Sequence, residues 1–114
     1  MEIIFASKKL KKQMTEERAM VKAYGPRRIK LLKIVLTSLH AAPNLGIFNP
    51  PYSPPHRCHE LTSNRKGQIS MDLDHPYRLI FQVANDPVPT RQEGGLDWEK
   101  VTQIKITGVE DTHG

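Results

Sequence analysis

Apolar residues recur along this chain with two periods, and each change of period marks a boundary between elements. Residues 2–6, Glu-Ile-Ile-Phe-Ala, form a short apolar run ahead of a polar switch and predict a first strand. Ser7 has the side chain of a helix N-cap. Over residues 8–24 the apolar positions Leu10, Met14, Val21 and Tyr24 recur near helical spacing between lysines and arginines, which predicts a first helix. Gly25 suits the end of that helix and Pro26 the first turn of another. A second amphipathic helix over residues 26–41 follows, with Ile29, Leu32, Leu36 and Leu39 on one face. With almost no linker between them, the two helices are expected to form an antiparallel hairpin.

Residues 43–55 hold five of the nine prolines, which excludes a helix interior or a central strand and predicts an irregular crossing loop. The segment Pro51-Tyr52-Ser53-Pro54 has the form of a polyproline ligand, but within a compact domain the routing of the chain explains it better. His59-Glu60-Leu61 reads as extended, and residues 62–67 (Thr-Ser-Asn-Arg-Lys-Gly) read as a turn. Beyond it Ile69, Met71 and Leu73 alternate with Ser70 and Asp72. Leu79, Phe81 and Val83 then alternate with Arg78, Ile80 and Gln82, which are expected on the outer face. These are two half-buried strands joined through Asp74-His75-Pro76. Residues 85–98, with Gly94-Gly95 and two prolines, are a long polar loop. A last strand over residues 101–109 turns Ile104 and Ile106 inward and Gln103, Lys105 and Thr107 outward, ahead of a polar tail. The order strand, helix, helix, three strands predicts an α+β fold, with two N-terminal helices packed on one side of a small, mainly antiparallel sheet.

At 114 residues the chain is expected to form a single domain, residues 1–114, around one core. Charge then separates its parts. Residues 8–33 hold ten Lys/Arg against two Glu, and the remainder holds seven basic and ten acidic side chains. That asymmetry gives either a solvated helix face or a positive surface able to gather a polyanion such as RNA or an acidic partner. No apolar run approaches the eighteen or so residues that span a bilayer, and the lone Cys58 argues against a disulfide-built domain. A cytoplasmic protein without a membrane partner is expected.

His59-Glu60-Leu61 ahead of a basic turn, Gly67 with the strand after it, the strand Tyr77-Arg78-Leu79-Ile80-Phe81 and the terminal Asp111-Thr112-His113 carry a resemblance. Together they resemble the HigB-like (plasmid maintenance killer protein) branch of the RelE/ParE superfamily of toxins. The likeness runs over the whole strand–helix–helix–three-strand order and is most specific over residues 57–81 and the C-terminus. It implies a RelE-like fold and the toxin of a type II toxin–antitoxin system. Such a toxin is a ribosome-dependent mRNA endonuclease, an mRNA interferase that needs no metal or other cofactor. A helix-turn-helix, HigA-like antitoxin would silence it. The resemblance also implies His59, Asp111 and His113 as catalytic residues. Where many relatives have Tyr between the terminal Asp and His, this chain has Thr112, and Tyr77 is a candidate to take over its contact with RNA.

Such a cleavage has requirements that chemistry states by itself. A ribose 2′-hydroxyl loses its proton and attacks the neighbouring phosphate while the 5′-oxygen leaves, so a base, an acid and cations are needed. Imidazole, with a reference pKa of about 6.5, suits the first two roles. Guanidinium and ammonium groups suit the third, and Arg65, Lys66 and Arg78 are the candidates. Structural roles compete with each assignment. Arg78 could pair across the hairpin with Asp72 or Glu60, His59 could be an ordinary strand histidine, and Asp111 and His113 could be a frayed tail. His56, Cys58, His59 and His113 match no zinc spacing, so no metal site is expected. Two other functions stay open: a ParE-like topoisomerase inhibitor acting through its basic helices, and an inactive homologue that only binds the antitoxin and its operator.

Overall fold

The first strand, β1 (Glu2–Phe5), runs into a capped helix in the computed structural model, which describes residues 1–111. Ser7 Oγ accepts the Leu10 N–H at 3.0 Å and starts α1 (Lys8–Thr15). The helix expected over residues 8–24 is interrupted at Glu16, whose backbone is extended (φ −110°, ψ 122°), before α2 (Glu17–Ala41) begins. Thr15 is the last residue of α1, and its hydroxyl donates to the Lys11 carbonyl at 2.6 Å, a local bond that competes with helix continuation. The break shifts the helical phase. Met20 is buried instead, while Val21, assigned to the apolar stripe by spacing, is 37% exposed.

Gly25, inside α2, has φ +83° and ψ 156°, a conformation that only glycine adopts cheaply. A straight helix would hold residues 17 and 33 roughly 24 Å apart at 1.5 Å per residue. Lys33 Nζ instead lies 2.7 Å from Glu17 Oε1. The chain therefore reverses at Gly25, and its two arms form the helical hairpin expected from the Gly-Pro pair. Ile29, Leu32, Leu36 and Leu39 of the second arm are all buried.

The proline-rich stretch contains a short 3-10 turn, Leu45–Phe48, with Leu45 buried. His56 pins it to the hairpin, with Nε2 3.3 Å from Ser38 Oγ and its ring edge-on to Phe48. Burial holds the His56 imidazole below its usual pKa.

The remaining strands are β2 (His59–Glu60), β3 (Gln68–Asp72), β4 (Tyr77–Val83) and β5 (Gln103–Asp111), and the sheet order is β1-β5-β4-β3-β2. Among the described residues only β1 and β5 pair in parallel. The sheet has one strand more than the hydrophobic pattern predicts, because two residues of β2 are too few to show alternation. Strand β5 also begins two residues later than expected and continues to Asp111. One face of the sheet meets the helices. There Ile69, Met71, Leu79, Phe81, Ile104 and Ile106 pack against Leu10, Met14, Leu32 and Leu39. Burying Phe81 alone is worth about 1.5–3 kcal/mol. Among the described residues no α-helix packs on the other face, whose buried Ile80 stands outside that cluster. No described helix is long and apolar enough to cross a membrane.

Candidate functional site

Residues directly opposite each other in paired strands share a face, so the register sorts the helix-free face into rows. The middle row is His59, Ser70, Ile80 and Gly108. On one side of it lie Asp72, Arg78 and Glu110, and on the other Gln68, Gln82 and Lys105. Neighbouring rows are about 7 Å apart, two residues of strand rise. His59 and Arg78 thus stand in adjacent rows of one surface.

Arg65 reaches across this surface from the turn after β2. Its guanidinium bonds Gln68 Oε1 at 3.1 and 2.6 Å and Glu110 Oε2 at 2.9 Å, so it links the outer rows and lies over the middle one. Ile80 was expected on the outer face and is fully buried, as is its partner Ser70. The span of Arg65 supplies the physical reason, since a long side chain shields what it crosses. Ser70 Oγ, beneath this cover, has no hydrogen-bond partner among the described residues. Arg78 pairs with Asp72 Oδ1 at 2.8 Å, and Arg57 approaches Asp72 Oδ2 at 3.5 Å. Three guanidinium groups therefore share two carboxylates, Asp72 and Glu110. Each arginine is held in place with N–H donors to spare.

His59 is oriented by the proline-rich segment just before it. Its Nδ1 lies 2.8 Å from the Arg57 carbonyl oxygen, which can only accept, so Nδ1 carries a proton and Nε2 is the nitrogen with the lone pair whenever the ring is neutral. The Tyr52 ring stacks on the imidazole at 4.2 Å and 26°. Arg57 Cζ is 5.3 Å from the Tyr52 ring centroid. Tyr52 and Arg57 both have left-handed backbones, φ 64° and 49°, and Ser63 in the adjoining turn has φ 58°. Non-glycine residues adopt that region at a cost of about 1–3 kcal/mol each, which here is offset by local bonding. The Tyr52 N–H donates to Cys58 O at 3.1 Å and the Arg57 N–H to Ser53 O at 2.9 Å. Cys58 itself faces the core, where burial pushes its thiol up to about 12. Among the described residues no group of three His, Cys, Asp or Glu could hold a metal ion.

The structure sets His59 and Arg78 on one face of the sheet, two strands and one row apart, with Arg65 crossing between the outer rows of that face, and sets Lys66 at the rim of an adjoining cleft. Tyr77 belongs to the other face. It packs against the core beneath the Arg28 guanidinium, 3.5 Å from the ring centroid, and Arg28 bonds Asp74 at 2.9 Å. Asp111 is the register partner of Tyr77 and so stands at that same strand end, away from the His59 row. His113 and Thr112 lie outside the described residues. Sequence reasoning missed Arg57 and Tyr52. Arg57 left a signal, since it is two residues before His59 in an extended segment. Tyr52 left none, because its contact with His59 depends on how the proline loop closes.

Two helices packed on a five-stranded sheet match the YoeB/RelE-like toxin fold. The chain is similar to a YoeB/ParE toxin from Agrobacterium tumefaciens, with a TM-score of 0.57 over 99% of this chain and 100% of that one, at 7% identity. It is also similar to the YoeB–YefM complex and the YoeB dimer from Staphylococcus aureus, with TM-scores of 0.55 and 0.54, each at 16% identity over 99% of this chain and 98% of the other. No protein-family model and no curated protein matches the sequence. At these identities the likeness is one of fold, and the RelE-like architecture expected from the sequence is present.

Proposed function

We propose that this protein is the toxin of a type II toxin–antitoxin system and a HigB-like, metal-independent endoribonuclease that cuts mRNA on the ribosome. The observation that carries the reading is the setting of His59: an imidazole fixed in one tautomer by the Arg57 carbonyl, in the row beside Arg78 and in the same row that the Arg65 side chain crosses. In this reading His59 Nε2 takes the proton of a ribose 2′-hydroxyl. The 2′-oxygen attacks the adjacent phosphorus, the bond to the 5′-oxygen breaks, and a 2′,3′-cyclic phosphate and a 5′-hydroxyl result. Arg78 and Arg65 donate to the phosphate oxygens as their charge rises. Asp111 and His113 supply the acid function by the family resemblance, with His113 protonating the leaving oxygen. Lys66 extends the phosphate contacts, whereas Tyr77, packed against the core beneath Arg28 on the opposite face, takes no part in them.

A helix-turn-helix, HigA-like antitoxin is the proposed partner. The hairpin supports this through its exposed Val21, Leu31 and Ile34 among lysines and arginines, a surface suited to an apolar segment with acidic flanks. Expression in cells followed by primer-extension mapping tests the reading. New mRNA ends within translated codons, lost in His59→Ala and in Asp111→Ala with His113→Ala, are the expected outcome. DNA-damage induction without new ends would replace the reading with topoisomerase inhibition. Bound antitoxin with neither effect would identify an inactive homologue.

A further inference from the structure

Beside the arginine face lies a cleft of about 510 Å³. Its floor is the row of Gln68 and Gln82, one wall is Glu60 at the end of β2 with Lys66 of the following turn, and the other is the loop after β4 with Val88 and Leu96. That second wall is a built hairpin. Thr90 bridges to Leu96, the Arg91 N–H donates to Gly95 O at 2.9 Å, and the Asp97 N–H donates to Pro89 O at 3.0 Å. The first wall is fixed by the Gly67 N–H donating to Glu60 Oε2 at 2.9 Å.

The floor offers unused hydrogen-bonding groups. The Gln82 carboxamide has no partner among the described residues, and Gln68 uses only its oxygen, toward Arg65. A carboxamide sets a donor and an acceptor side by side, the complement of a nucleobase edge. Gln82 presents both to the cleft and Gln68 adds its amide N–H, opposite an apolar wall that suits the flat face of a base. We infer that this cleft receives one unpaired nucleobase of the substrate RNA, read by Gln68 and Gln82, with Lys66 at the neighbouring phosphate. Gln68 is two residues along β3 from Ser70, the partner of His59, a separation of about 7 Å. The base in the cleft therefore belongs to a nucleotide adjoining the one that is cut. The identity of the ligand as substrate rests on the nuclease reading, but occupancy of the cleft is tested without cleavage.

Full-length protein would be titrated with four short 2′-O-methyl oligoribonucleotides that differ in one central base and cannot be cut. The side-chain amide signals of Gln68 and Gln82 report binding by NMR. Saturable shifts of both amides with one base preferred are expected. Gln82→Leu should bind that base about tenfold more weakly, as for a lost bidentate contact, and should level the preference. Val88→Trp, at an exposed rim position, should block the cleft without touching the floor. Binding that moves only the arginine-face signals, or that shows no base preference in the parent, overturns the inference even if RNA is cut. Cleft binding with base preference but no cleavage of the unmodified RNA sustains the site and defeats the nuclease reading.

Discussion

At the scale of single residues, the decisive choice is which nitrogen of His59 holds a proton. The Arg57 carbonyl settles it from two residues away, and the Tyr52 ring keeps the imidazole plane from turning. Tyr52 is thus a positioning residue, and its contribution should divide cleanly by chemistry. Tyr52→Phe keeps the stack and should retain full rate. Tyr52→Ala should lower kcat about tenfold, the scale of roughly 1.4 kcal/mol, with little change in KM. Steady-state kinetics on a ribosome-bound message reads both quantities. The candidate histidine was legible in the sequence, because it precedes a basic turn in the family's order. What held it was not, since Tyr52 meets His59 only through a loop closed by its own Tyr52–Cys58 and Arg57–Ser53 hydrogen bonds.

Among the elements, strand alternation was the most readable signal. Ile69, Met71, Leu79, Phe81, Ile104 and Ile106 all point where a period of two puts them. Alternation misled at Ile80, because a face without a helix can still be covered by one long arginine. Helical spacing misled at Val21, because the break at Glu16 resets the phase. The Gly25-Pro26 pair was sound, and its cost of replacement is predictable. Gly25→Ala should lower the stability measured by urea unfolding by about 1–3 kcal/mol, through its backbone angles alone. Any Cβ there would meet no atom within 4 Å, so a steric clash cannot supply the effect. The proline loop has its own signature. His56 is held below the 6.5 of an unfolded histidine, so the unfolded chain takes up the proton first as pH falls. The stability that neutral His56 confers is whole above about pH 6.5 and declines below it, down to the folded value. Urea midpoints measured on both sides of that window should fall less on acidification in His56→Gln than in the parent.

For the whole molecule, the sheet divides labour between its faces. The helix side supplies the core and carries the basic hairpin proposed to meet an antitoxin, while the open side assembles His59, Arg57, Arg65 and Arg78 from three segments of chain. Neither the fold nor the net charge requires RNA cleavage, and likeness to YoeB structures at 7–16% identity extends to architecture only. The nuclease proposal therefore depends on one group doing one job. The most direct measurement incubates purified protein with translating ribosomes and examines the new RNA termini beside those made by His59→Ala. The parent should leave 2′,3′-cyclic phosphate and 5′-hydroxyl ends, a 2′-deoxy substitution at the cut position should abolish them, and His59→Ala should be slower by a factor of about 10²–10⁴, the usual contribution of a general base. Equal rates from the parent and a folded His59→Ala variant would contradict the account.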